Sequence, residues 1–252
     1  MKLIIKPARA FLALAIVCFG IHYVFFAALP GTSGAKPGPP WFPERQWMSF
    51  LIGTCLVAAG VSLATNWKSR WVGLLLSGSL IIRVLFIHLP KLVTNVHDPG
   101  PWTSGAEILS IAGGVLVLGQ ASFPERNKVA PTLSVRIGQI LFALPLIVVA
   151  VQHFLYANFI ATLIPSWIPG RLFWAYFVGV AFFASTLAIV FRRFVPLAPA
   201  LLGLMFFLWV LMLHLPRVVA SAHNGSEWTS MFVALAMSGC SLAVAASFAR
   251  RE

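Results

Sequence analysis

The sequence predicts an all-α, polytopic membrane protein whose eight transmembrane helices form two parallel four-helix-bundle repeats. Its composition, the length of its apolar runs and an internal repeat all support this class. Of the 252 residues, 60% are hydrophobic and 10% are charged, whereas soluble domains carry roughly 25% charged residues. Such a chain has too little polar surface to cover a water-soluble globule. Lipid is therefore its expected surroundings, which a helix of about 20 apolar residues can cross.

Eight apolar runs, each bounded by charges, prolines or glycines, are the predicted helices. They cover residues 8–29, 46–65, 70–90, 104–121, 133–156, 172–191, 195–215 and 229–248. The apolar residues 10–29 of the first run follow Lys2, Lys6 and Arg9, as in a secretory signal peptide. This stretch is longer than the roughly 7–15 apolar residues of such a segment. It also has a counterpart deep in the chain, so it is predicted to be the first helix of the mature protein.

Short loops and prolines define the other helices. Because the loops are short, consecutive helices should pack antiparallel. Pro90 is expected to stop the third helix, Pro145 to kink the fifth and Pro196 to open the seventh. Open strands are excluded because lipid cannot satisfy their edges. Glycines within the runs are interpreted as close-packing positions between helices, namely Gly60, Gly73, Gly78, Gly113, Gly114 and Gly203.

An internal repeat relates the two halves of the chain. HLPKLVTNVHDPGPWTS at 88–104 answers HLPRVVASAHNGSEWTS at 214–230, with eight of the seventeen positions identical. At the same offset of 126 residues, Trp41, Pro43, Arg45 and Gly53 match Trp167, Pro169, Arg171 and Gly179. The predicted repeats are residues 1–126 and 127–252. Because each repeat has an even number of helices, the two copies should insert in the same orientation.

The positive charge is distributed as membrane topology requires. The net charge of +12 is scattered in pairs between apolar runs, unlike the basic stripe of a nucleic-acid-binding protein. On the side of the N-terminus lie Lys2, Lys6, Arg9, Lys68, Arg70, Arg126, Lys128, Arg136, Arg192, Arg193, Arg250 and Arg251, against Lys36, Arg45, Lys91, Arg171 and Arg217 on the other side. This asymmetry predicts an inner (plasma) membrane protein with both termini cytoplasmic.

All six histidines fall in the repeated segments and map to the outer half of the bundle or to the outer loops. They are His22, His88 and His97 in the first repeat and His153, His214 and His223 in the second. With Trp102 and its equivalent Trp228, they form the candidate ligand-binding set. Three interpretations stay open: structural hydrogen bonds to helices or headgroups, hydrogen bonds to a quinone or another substrate, and a metal or haem site.

Metal or haem binding would need a particular geometry. Neutral imidazole suits zinc and copper, and His22, His88 and His97 could hold either metal if they converged on the outer mouth of a bundle. The spacing of His88 and His97 is no recognised ligand spacing. For a b-type haem, His22 lies about 8–10 Å deeper than His88 by helix rise, which is a poor arrangement for two axial ligands.

Arg83 is a cation inside an apolar run, and Glu107 is its expected partner. An unpaired charge near the bilayer centre costs at least about 2.5–3.5 kcal/mol, and antiparallel third and fourth helices would put both residues at similar depth. Their repeat equivalents are Trp209 and Val233, so the two charges are lost together. The alternatives are a structural ion pair, a functional pair in a working first half, and an Arg83 that extends outward alone.

Catalytic motifs are not recognisable in the sequence. It has no P-loop, GxSxG, HExxH or cluster of acids, which are the motifs of phosphoryl transfer and hydrolysis. Cys18, Cys55 and Cys240 lie inside apolar runs without metal-ligand spacing, as packing residues do. The chain is therefore predicted to be non-hydrolytic and not an autonomous enzyme.

Three segments of the second repeat carry a likeness to a known family: QHFLYANFIATLIPSWIPGRLFWAYFVGVAFFA, LLGLMFFLWVLMLHLPRVVA and EWTSMFVALAMSG. With these segments the chain resembles the DoxX-like membrane proteins, across residues 133–248 and, through the repeat, across 8–121. That family consists of four-helix bundles named for a subunit associated with archaeal thiosulfate and quinol oxidation. Its members include partners of redox enzymes, quinone-linked subunits and assembly factors, so the resemblance implies the fold and a redox setting.

The leading functional hypothesis is an accessory or partner subunit in electron transfer that binds a quinone or lipid-like molecule at the outer His/Trp set. One alternative is a non-catalytic assembly factor or structural subunit of a larger membrane complex. Another is a carrier for a small hydrophobic solute or metal. The expected partners are the lipid bilayer and other membrane or redox subunits, without nucleic acid. Quinone is the first candidate cofactor, ahead of haem, copper or zinc.

Overall fold

The computed structural model describes residues 2–27, 46–121 and 132–248, and no strand occurs within these ranges. Within these ranges, eight helices are long and apolar enough to cross a membrane, so the chain is a multi-pass membrane protein, as the sequence predicts. They are α1 (Lys2–Ala27), α2 (Gln46–Thr65), α3 (Ser69–Thr94), α4 (Pro99–Ala121), α5 (Leu133–Leu155), α6 (Arg171–Val190), α7 (Leu197–Ala220) and α8 (Gly225–Phe248). Several residues discussed above lie outside the described ranges: Lys36, Trp41, Pro43, Arg45, Arg126, Lys128, Arg250 and Arg251.

Helices α4 and α8 begin earlier than predicted because a side chain caps each first turn. Asp98 accepts a hydrogen bond from the backbone N–H of Gly100 at 2.9 Å, and Asn224 accepts one from Ser226 at 3.0 Å. A side-chain oxygen in this position takes a backbone donor that no helical carbonyl can reach. Helix α4 therefore starts five residues, and α8 four residues, before its predicted position.

Helices α3 and α7 each contain one π-helical turn, at Val84–His88 and Val210–His214. In α3, the backbone N–H of Leu89 bonds to the first carbonyl of that turn, five residues earlier. The expectation that Pro90 stops the helix is wrong, since α3 continues to Thr94. The wider π turn accommodates the proline ring and its missing N–H, which would break a regular α-helix.

Pro145 interrupts α5, as predicted, and two neighbouring helices supply the hydrogen bonds that the interruption removes. The carbonyls of Phe142 and Ala143 lie just before the break. Ser110 of α4 donates to the first at 3.0 Å and Thr186 of α6 donates to the second at 2.9 Å. Both hydroxyls are buried. Because lipid offers no donor to a freed carbonyl, these bonds make the interrupted helix compatible with a membrane.

Helices α4 and α8 pack against each other at the centre of the bundle. Helices α3 and α5 flank α4, while α7 and α1 flank α8; α2 packs on α1, and α6 packs on α5. The two halves are therefore not self-contained bundles, in contrast to the expected arrangement. Helix α1 packs on the last helix of the chain and hardly touches α4, and α5 packs on α4 and hardly touches α8.

Glycine lets the central helices approach closely. At the crossing of α4 and α8, a Cβ on Gly114 would collide with the Cβ and Sγ of Cys240. Gly113 faces the backbone of α5 in the same manner. Close contacts also occur at three of the other predicted positions, Gly60, Gly73 and Gly203. Gly78 differs from the prediction, because a Cβ there would have nothing within 4 Å.

Candidate functional site

The histidines lie towards one end of the bundle, at which α3 and α7 finish and α4 and α8 begin, and which we name the histidine end. Helix α1 carries His22 close to its C-terminal end, and α5 carries His153 in the same way. His88 and His214 are the last residues of the two π turns. His97 and His223 belong to the loops that follow. The first residues of α1 and the last residues of α8 lie at the opposite end.

The loop histidines are exposed, and the repeated tryptophans hold their loops in place. The indole Nε1 of Trp102 donates to the carbonyl of the residue before His97 at 3.0 Å, and Trp228 does the same before His223 at 2.8 Å. Both loop imidazoles are exposed. Trp102 and Trp228 thus have a structural role in both halves, which accounts for the fixed distance between histidine and tryptophan in the repeated sequence.

His22 and His153 pack against aromatic rings inside the bundle. The Nδ1 of His153 donates to a carbonyl one turn earlier at 2.8 Å, and its ring meets Phe182 edge to face at 5.2 Å. His22 is hydrogen-bonded to the backbone of Gly225 and meets Phe232 edge to face at 6.0 Å. His22 therefore ties α1 to the first turn of α8.

Gln152, next to His153, was not predicted as a site residue and makes the corresponding tie between α5 and α4. Its amide N–H donates to the carbonyl of Pro99 at 3.0 Å, and its amide oxygen accepts from the hydroxyl of Thr103 at 2.7 Å. The beginnings of α4 and α8 are thus each attached to the first helix of the other half. A glutamine inside an apolar run was the signal for this role.

His88 and His214 each have a shielded ring nitrogen without a hydrogen-bond partner among the described residues. His88 is 8% exposed, and its Cβ faces Gly105 of α4. Its Nε2 is shielded and has no hydrogen-bond partner among the described residues. In the half-buried His214, the shielded atom without a partner in the described ranges is Nδ1. A buried polar atom without a partner costs free energy, so a ligand that hydrogen-bonds to either atom would be stabilised.

Arg83 bonds to Tyr23 and not to Glu107, which corrects the predicted ion pair. The guanidinium Nη1 donates to the Tyr23 hydroxyl of α1 at 2.7 Å, and no ion pair joins Arg83 to Glu107, both of which are described. The arginine side chain is long enough to reach from α3 to α1, where the phenol oxygen accepts its hydrogen bond. Arg83 corresponds to Trp209 at the offset of 126 residues. Tyr23 corresponds to Phe154, because His22 aligns with His153 once a loop that is five residues longer in the first half is allowed. A polar pair is therefore replaced by two aromatic rings. The Nε of Arg83 is shielded and has no partner among the described residues.

Aromatic rings fill the second half where the first half has smaller side chains. Phe182, Phe206 and Trp209 form a cluster with centroid distances of 5.6, 5.7 and 6.2 Å, and both phenylalanines are buried. The residues 126 positions before the two phenylalanines are Leu56 and Leu80, which are only partly buried. The first half therefore has no aromatic cluster at these positions.

The second half contains an ion pair that was not predicted. Arg217 of α7 donates to Glu227 of α8 at 2.9 Å, with side chains 38% and 17% exposed. The second carboxylate oxygen of Glu227 is shielded and has no partner within the described part of the chain. Lys91 and Pro101 stand at the equivalent positions of the first half. The acid in HNGSEWTS, where the first repeat has a proline, was the available signal.

The three histidines considered for a metal do not come together. The described residues contain no group of three or more His, Cys, Asp or Glu side chains that could hold a metal ion. His97 is exposed in its loop, His88 is buried against α4, and His22 is bound to the start of α8. In the first half, the polar contact within the bundle is instead the hydrogen bond from Arg83 to Tyr23.

Comparison with known proteins finds no matching family model, no matching curated protein and no matching solved structure. The class of the chain therefore follows from its own fold. It is a multi-pass membrane protein. His88, His214 and Glu227, which have shielded polar atoms without partners among the described residues, lie at its histidine end.

Proposed function

We propose that this protein is a non-hydrolytic accessory subunit of a membrane electron-transfer complex and binds the polar head of a quinone-like lipid in its first half. The observation that carries the proposal is the pair of shielded nitrogen atoms, His88 Nε2 and Arg83 Nε, that lack a partner among the described residues. Arg83 precedes the π turn of α3 and His88 is its last residue, and Tyr23 accepts a hydrogen bond from the Arg83 guanidinium. Three polar groups from α1 and α3 thus form one site.

The chemistry of these groups suits a carbonyl oxygen. A guanidinium only donates hydrogen bonds, a phenol can donate, and a neutral imidazole donates through one nitrogen. A quinone has carbonyl oxygens that accept such bonds and a tail that lipid can accommodate. A bound quinone would supply electron transfer, while Arg83, Tyr23 and His88 hold and orient its head. Because an unsatisfied polar group in hydrocarbon costs several kcal/mol, a ligand that supplies the acceptor is favoured.

The smaller side chains of the first half also favour a ligand site in that half. Leu56 and Leu80 are partly exposed where the second half has buried phenylalanines. A planar ring can lie against two leucine side chains without displacing an aromatic ring. In the second half, Trp209 replaces the arginine, and Phe182 and Phe206 replace the two leucines.

The setting of the proposal comes from the sequence. The resemblance to DoxX-like proteins and the tandem repeat favour a redox partner in the same membrane. The excess of Lys and Arg on the side of the termini favours an inner (plasma) membrane with both termini in the cytoplasm. The histidine end would then face outward, where a quinone headgroup meets the interface.

The test places the aromatic residues of the second half at the equivalent positions of the first half. The protein is purified from quinone-containing membranes in mild detergent, and the quinone that it retains is measured by mass spectrometry. Wild type should retain about one quinone per chain, and the triple variant Leu56→Phe, Leu80→Phe, Arg83→Trp should retain at least about tenfold less, as expected from losing a hydrogen bond to a charged group.

The matched control is the double variant Leu51→Phe, Leu75→Phe, which adds phenylalanines to exposed positions of the same two helices. It should retain quinone like wild type. Equal retention by all three proteins, or none by wild type, would contradict the proposal. If wild type lacks quinone but still co-purifies with a membrane complex, the structural-subunit alternative is favoured.

A further inference from the structure

The ion pair at the histidine end of the second half leaves two polar atoms without partners. Glu227 uses one carboxylate oxygen for Arg217, and its other oxygen is shielded and has no partner in the part of the chain that the structure describes. The Nδ1 of His214, three residues before Arg217, is in the same condition among the described residues. His214 and Arg217 are three residues apart on α7 and so are neighbours on one helix face, and Arg217 is bonded to Glu227, so the three side chains form one cluster between α7 and α8.

Two kinds of ligand group complement this cluster. A carboxylate oxygen only accepts, and a neutral imidazole accepts through the nitrogen that lacks a proton, so a group with several N–H donors can satisfy Glu227 and His214 together. A primary ammonium has three such donors and the positive charge that a carboxylate prefers. Arg217 is partly exposed and has N–H groups beyond the one that Glu227 uses, which suit a phosphate.

We propose that His214, Arg217 and Glu227 bind a primary-ammonium phosphate zwitterion, as in the headgroup of phosphatidylethanolamine. Trp228, the next residue of α8, is of the type that lies at headgroup depth, and its loop hydrogen bond places it at the end of the bundle. The first half has no acid at this position, because Pro101 replaces Glu227. The site is thus single and independent of the quinone site.

A series of lipids tests the proposal without altering the protein. The purified protein is placed in nanodiscs of phosphatidylcholine with equal small amounts of phosphatidylethanolamine or its N-methyl and N,N-dimethyl derivatives, and retained lipid is measured by native mass spectrometry. These headgroups offer three, two and one N–H donors, and choline offers none. Retention should be similar for the first two and fall by about tenfold once only one donor is left, since one of two acceptors then stays unsatisfied.

Variants assign the selectivity to the cluster. Glu227→Gln should reduce the preference for phosphatidylethanolamine over phosphatidylcholine by about tenfold or more. Lys91→Gln, at the exposed first-half position equivalent to Arg217, should leave it unchanged. Thermal unfolding of both variants checks that they are folded. A wild type that does not distinguish the four lipids, or a preference that survives Glu227→Gln, overturns the proposal. Free phosphoethanolamine that displaces the lipid at equal concentration would assign the same chemistry to a soluble ligand.

Discussion

The hydrogen-bond partner of Arg83 shows what a sequence reveals at the scale of single residues. The sequence shows that Arg83 needs a partner, because a cation in an apolar run is costly. It does not show which partner, since a carboxylate on the adjacent helix and a phenol on α1 both satisfy that need. Tyr23 accepts the bond, and a neutral acceptor has no charge that a sequence pattern would reveal. The location of the polar residues was thus predictable, and their pairing was not.

At this scale, Tyr23→Phe tests the value of the Arg83 hydrogen bond. The variant removes the acceptor of a charged donor inside the bundle, so the free energy of unfolding should fall by about 1.5–3 kcal/mol. The measurement is unfolding in mixed micelles, followed by circular dichroism.

Tyr176→Phe is the matched control for this change. Tyr176 is 41% exposed and packs against Phe154, so losing its hydroxyl should alter the stability by less than about 0.5 kcal/mol. Equal effects of the two substitutions would mean that the Arg83 bond contributes nothing to stability.

At the scale of helices, irregular turns are matched by side chains from neighbouring helices. Proline in α5 predicts an interruption, and the interruption occurs. The sequence does not identify Ser110 and Thr186 as the donors that complete it, because serine and threonine are common in membrane helices and most bond within their own turn. The π turns before Pro90 and Pro216 were equally hidden, since proline predicts only that regular bonding fails.

The dependence between Ser110 and Pro145 can be measured by a double-mutant cycle. Ser110→Ala leaves the Phe142 carbonyl without its donor and should cost about 1–3 kcal/mol of unfolding free energy. In the Pro145→Ala background, the restored helix supplies backbone donors, so the same substitution should cost distinctly less.

Ser241→Ala is the control for this cycle, because the buried Ser241 bonds only to a carbonyl of its own helix at 2.7 Å. Its cost should be small and the same in both backgrounds. A Ser110→Ala cost that does not depend on residue 145 would show that the hydroxyl does not compensate for the proline.

At the scale of the whole molecule, the number of helices was predictable and their partners were not. Hydropathy and length define eight spanning helices, and the structure has eight. Partner choice in a membrane depends on small residues and local shape and not on a hydrophobic face, so nothing in the pattern indicated that α1 packs on α8. The glycine contacts at Gly113 and Gly114 became informative only with the neighbouring backbones in place.

The contact between Gly114 and Cys240 tests the predicted relation of the two halves, since these residues are 126 positions apart. Gly114→Ala should lower stability by about 1–3 kcal/mol because its Cβ collides with Cys240. If the halves are related by a two-fold axis, the exchange Gly114→Cys, Cys240→Gly recreates the same contact and should recover most of that loss.

Thermal unfolding of these variants, with Gly78→Ala as the control, provides the measurement. A Cβ at Gly78 meets nothing within 4 Å, so that variant should be as stable as wild type or slightly more so. An exchange variant that is less stable than Gly114→Ala would contradict the two-fold relation at this crossing.

The packing of α1 on α8 has a consequence for how the protein is made. The ribosome delivers α1 to the membrane before α8, so the face of α1 that packs on α8 stays in lipid until α8 is inserted. A chain released before residue 225 would expose that face, together with the α4 surface that α8 covers. Such an incomplete product would present Gly114 to lipid, whereas Cys240 of α8 covers it in the folded protein.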